Sequence, residues 1–132
     1  MDIFFHDPDD IPLPPGEVHI RQFNAQPYPD GRRVRVYLEI SPFQKRPSAE
    51  ISIFDVEGQE ISSVNIIETI DPRMEMTMHL RGSQQKGMFT IRADLFYDNV
   101  GEESNGDPAN YQVPERTVIA QVETIFEINH AD

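Results

Sequence analysis

Residues 34–40 read Val-Arg-Val-Tyr-Leu-Glu-Ile, and the alternation they set recurs along most of the chain. Successive side chains of an extended segment point to opposite sides, so such a run buries one face and shows the other. Val34, Val36, Leu38 and Ile40 fall on one side here, and Arg33, Arg35, Tyr37 and Glu39 on the other. The same period appears at Val18 and Ile20, at Ala49, Ile51 and Ile53, and through residues 60–67. It continues at Met74, Met76, Met78 and Leu80, at Phe89, Ile91, Ala93, Leu95 and Tyr97, and at Val118, Ala120, Val122, Thr124 and Phe126. Turn residues separate the runs: Asp30-Gly31, Pro42, Pro47, Val56-Glu57-Gly58-Gln59, Asp71-Pro72, and the polar segments 82–87 and 98–115.

This pattern predicts seven strands and no helix of useful length. Composition agrees: Ile and Val number 23, against 10 Leu and Ala, and β-branched residues favour the pleated surface of a sheet. Seven antiparallel strands in one domain predict an all-β fold, a two-sheet antiparallel sandwich. Residues 17–132 are assigned to it, with a long acidic loop at 98–115. Residues 1–16 contain Pro8, Pro12, Pro14 and Pro15 with Asp2, Asp7, Asp9 and Asp10, and read as an extended N-terminal arm. Its apolar start, Ile3-Phe4-Phe5, is expected to dock on the domain or on a neighbour.

The string Ala49-Glu-Ile-Ser-Ile-Phe-Asp55-Val-Glu-Gly58-Gln-Glu-Ile61 resembles the third-strand hairpin of immunoglobulin-like and fibronectin-type-III-like modules of bacterial proteins. Gly87-Met-Phe-Thr-Ile-Arg-Ala-Asp-Leu-Phe-Tyr97 is similar to the sixth strand of such modules. The resemblance spans most of residues 17–128 and implies immunoglobulin-like topology, but no particular activity. The cysteine pair and third-strand Trp of antibody domains are absent.

Charge narrows the function. Eleven basic and 23 acidic residues give a net charge of −12, which argues against nucleic acid and anionic membranes as partners. The absence of cysteine excludes disulfides, Cys-based zinc sites and thiol nucleophiles. No apolar run approaches the roughly 20 residues of a membrane helix, and the acidic N-terminus lacks the features of a signal peptide. A cytoplasmic location is the expectation. No nucleophile elbow, phosphate loop, dinucleotide fingerprint or H-E-x-x-H motif occurs, so no enzyme activity and no cofactor are expected. His6, His19, His79 and His130 are expected to be exposed and apart. Arg35 is expected to pair across strands with Glu75.

Two binding modes remain. In the first, Phe54, Met88, Phe96, Ile119 and Ile125 occupy outward positions of the third, sixth and seventh strands, which share one sheet in immunoglobulin-like topology. A contiguous apolar patch marks an interface, so a non-enzymatic interaction or structural module with a protein partner or a homodimer is expected. Two other arrangements fit the same residues: a bulge that turns Phe54 or Phe96 inward, or cover by Ile3-Phe4-Phe5. The alternative mode is calcium or carbohydrate binding through the 98–115 loop, with Asp98, Glu102, Glu103 and Asp107 as oxygen donors. That loop lacks regular metal-ligand spacing.

Overall fold

The alternation does produce seven strands: β1 (Ile20–Pro27), β2 (Arg33–Ile40), β3 (Ser48–Phe54), β4 (Glu60–Ile66), β5 (Arg73–His79), β6 (Gly87–Asn99) and β7 (Glu115–Ile128). A computed structural model describes residues 11–69, 71–81, 87–99 and 115–128. The strands form two antiparallel sheets, ordered β1-β2-β5 and β4-β3-β6-β7. The all-β sandwich expected from the sequence is therefore present, with the third, sixth and seventh strands in one sheet. No helix among the described residues is long and apolar enough to cross a membrane.

The apolar side of each alternation meets between the sheets. Val34, Val36, Leu38 and Ile40 of β2 are fully buried, as are Ala49, Ile51 and Ile53 of β3 and Ile91, Ala93 and Leu95 of β6. Met74 and Met78 close the core from β5. Phe89 and Phe126 stack at 5.5 Å, near one end of the β6–β7 pair. Each fully buried Ile or Leu contributes about 1.5–3 kcal/mol relative to an exposed one.

Part of the segment assigned to the N-terminal arm contacts the sandwich. Leu13 forms an isolated parallel bridge with Phe43, its N–H donating to the Pro42 carbonyl and its own carbonyl accepting from Gln44. Leu13 packs on the core and Val18 is buried, joined by a short 3-10 turn at Pro15–Glu17. The last residues of the expected arm are thus fastened to the sandwich. Ser41 is fully buried and closes this join: it accepts from the His19 N–H at 3.0 Å, and its own N–H donates to the His19 carbonyl. Arg35 and Glu75 make the expected cross-strand ion pair. Both are about half exposed, so the pair adds a few tenths of a kcal/mol at most.

Among the described residues three register shifts interrupt the ladders, and each leaves one residue opposite nothing. They fall at Arg21 in β1, Ile61 in β4 and Ile119 in β7. A bulge inserts one residue and exchanges the faces beyond it. In β7, Leu95 pairs with Ala120 while Phe96 pairs with Val118, so Ile119 is the extra residue.

Candidate binding groove

The outer face of the four-stranded sheet is set by the positions opposite the core. From β3 these are Ser48, Glu50, Ser52 and Phe54, and from β6 Met88, Thr90, Arg92, Asp94 and Phe96. From β7 they are Gln121, Glu123, Ile125 and Glu127, then Val118 and Arg116 beyond the bulge. Register places Phe54 beside Thr90 and Thr90 beside Ile125. Phe54 and Ile125 therefore stand two strand spacings apart, about 10 Å, with the short Thr90 between them.

That gap is the floor of an open groove of about 450 Å³. Phe54, Met88 and Ile125 contribute to its apolar lining together with Val56 and Phe89, and Arg92 and Glu123 border it. The β3–β4 turn forms a wall through Asp55, Val56 and Gly58. Ile125 is 63% exposed, Val56 75% and Met88 42%, so three exposed apolar side chains border one site. The turn is built tightly. Asp55 Oδ1 accepts the N–H groups of Glu57 and Gln59, both at 2.9 Å, and Gly58 adopts a positive φ of 81°. Replacing Asp55 by Ala is expected to cost about 1–2 kcal/mol, because two turn donors lose their acceptor. Urea denaturation of the variant checks this.

Three of the five residues expected at an interface, Phe54, Met88 and Ile125, meet in this groove. The other two do not. Phe96 stands on the outer face at the opposite end of β6, but it is only 2% exposed. The Arg116 guanidinium lies 3.8 Å from its ring centroid, held also by Glu50. Ile119 was expected outward and instead packs against the core, because it is the bulge residue of β7. The parity change falls on Ile119 and Val118 rather than on Phe54 or Phe96. Val118, expected inward, is 46% exposed.

Arg92 shares the role that Arg116 plays at the other end. Its guanidinium lies 5.3 Å from the Phe54 ring centroid and 3.8 Å from Asp94, which also accepts from Gln121 Nε2 at 2.8 Å. Sequence parity does not reveal Val56, because it lies in a turn. Its signal was an apolar residue inside an otherwise polar Asp-x-Glu-Gly segment. Tyr97 closes the sheet end near Phe96, donating its hydroxyl to the Lys45 carbonyl at 2.7 Å, and burial raises its pKa above the usual tyrosine value.

The alternative oxygen-donor site falls largely elsewhere. Glu102, Glu103 and Asp107 lie outside the described residues, and Asp98 sits in β6 opposite Arg116. Among the described residues no group of three or more His, Asp or Glu is arranged to hold a metal. His19 and His79 are exposed, while His6 and His130 lie outside the described residues.

No protein-family model matches the chain, and no curated protein sequence matches it at a significant level. Solved structures match it in fold. One is a beta-glucuronidase from glycoside hydrolase family 2, with a TM-score of 0.51 and 15% identity over 84% of this chain. Another is the FMN-binding beta-glucuronidase from Facaelibacterium prausnitzii L2-6, with a TM-score of 0.47 and 12% identity over 84% of this chain. The chain spans 12% and 16% of those two proteins. The likeness to the first of these, at 15% identity, shows the fold alone.

Proposed function

We propose that this chain is a non-enzymatic binding module of the immunoglobulin-like class, working through the groove between Phe54 and Ile125. The pairing of β4 with β3 rather than with β5 supports the fibronectin-type-III branch of that class. The observation that carries the binding role is the exposure of Val56, Met88 and Ile125 around one concave site. Apolar surface of this kind gains free energy when a partner removes it from water, at about 25 cal/mol per Å². A rigid sheet floor adds little ordering cost to that gain.

Ile125→Thr tests the reading while keeping a β-branched residue in β7. The wild type is expected to bind a neutral hydrophobic dye, or to associate in light scattering. The variant is expected to lose most of either signal, with stability changed by no more than about 0.5–1 kcal/mol. A wild type that is monomeric and binds neither the dye nor an apolar-anchored peptide overturns the proposal.

A further inference from the structure

We infer that the occupant of this groove is an extended basic peptide segment with an apolar anchor, of the pattern Lys-x-Leu-x-Lys. The inference rests on the groove reading above and adds the chemistry of the partner. Along β7, Glu123, Ile125 and Glu127 share one face at two-residue spacing, so each carboxylate stands about 7 Å from the apolar side chain between them. An extended segment lying over the groove and running along β7 presents alternate side chains at that same spacing. Its central apolar residue would meet Ile125 and Met88, and its flanking ammonium groups would meet the two carboxylates.

These carboxylates are available. Arg92 faces Glu123 in register but is drawn toward Asp94 and the Phe54 ring. Glu60, opposite Phe54, is a further exposed acid on the far side of the floor. Among the described residues, Glu60, Glu123 and Glu127 have no ion-pair partner. Charge also selects among possible occupants. A second copy brings another net −12, and the N-terminal segment brings Asp2, Asp7, Asp9 and Asp10 beside its Ile3-Phe4-Phe5. Both bring like charge toward Glu123 and Glu127, which flank Ile125 along β7, and a cationic segment is attracted.

The test uses the full chain and three capped peptides: Lys-Thr-Leu-Thr-Lys, Glu-Thr-Leu-Thr-Glu and Lys-Thr-Ser-Thr-Lys. Binding is followed through the methyl resonances of Met88 and Ile125. The Lys/Leu peptide is expected to shift both, to bind at least about tenfold more tightly than the Glu/Leu peptide, and to weaken several-fold as salt screens the charges. The double variant Glu123→Lys with Glu127→Lys is expected to reverse the preference between the Lys/Leu and Glu/Leu peptides. Equal binding of those two peptides, or of the Lys/Ser peptide, overturns the inference. So does association of copies through Ile125 with no peptide bound, an outcome that leaves the groove reading standing. Absence of both peptide and dye binding overturns the two together.

Discussion

Phe96→Ala is expected to remove about 3–5 kcal/mol of stability, the range for an aromatic deleted from a buried site. In a domain of this size that lowers the melting midpoint by roughly 10–20 °C. The size of the effect follows from an unusual setting. Phe96 points away from the space between the sheets, yet it is 2% exposed. Its cross-strand neighbours are Ser48, which is also buried, and Val118. Arg116 lays its guanidinium across the ring and reaches Glu50. The long arginine stem shields apolar surface while the charge stays near water, and the cation gains from the ring face. Truncation to Ala leaves Arg116 without its platform. Thermal denaturation of Phe96→Ala and Arg116→Ala checks both halves of the clasp. Loss of less than about 1 kcal/mol in Phe96→Ala, the level of an ordinary surface change, would contradict the buried placement. Phe96→Asp would therefore report on folding rather than on binding.

The second large effect is at the β7 bulge. Ile119→Asp is expected to cost about 2–3 kcal/mol, from lost apolar burial and from a carboxylate pressed toward the core. Ile125→Asp, six residues on in the same strand, is expected to cost no more than about 1 kcal/mol, since that site is 63% exposed. Without the bulge the two positions share one face and the two variants respond alike. Urea melts of both proteins, with unchanged slopes, distinguish these cases. The contrast is a direct reading of where the extra residue of β7 lies.

The strands were legible because a period of two survives every local irregularity except an insertion. Val34 to Ile40 has one possible core face, and the structure buries it. Phe54, Met88 and Ile125 were legible for the same reason: each interrupts the polar side of its run. The bulge was not. Val118-Ile119-Ala120 is continuously apolar, so either parity satisfies it, and nothing in its composition marks the skipped residue. Phe96 keeps the outward direction of its period but not the exposure, and one contact over its ring comes from Arg116, a residue that reads as polar surface. Val56 lay outside the periodic runs altogether. The order of strands across the sheets came only from the resemblance, since alternation assigns faces and not neighbours.

The strand order carries a kinetic consequence. The local hairpins β1–β2 and β3–β4 close within short stretches of chain, but neither completes a sheet. The central ladders must join Arg35 to Thr77 and Ile51 to Ala93, in each case 42 residues apart. Closing such loops spends chain entropy before any interior is gained, which places the refolding time of sandwiches in milliseconds to seconds. Until β5 and β6 arrive, β2 and β3 each wait with one unsatisfied backbone edge, and that interval is when a nascent chain is most open to joining the wrong neighbour.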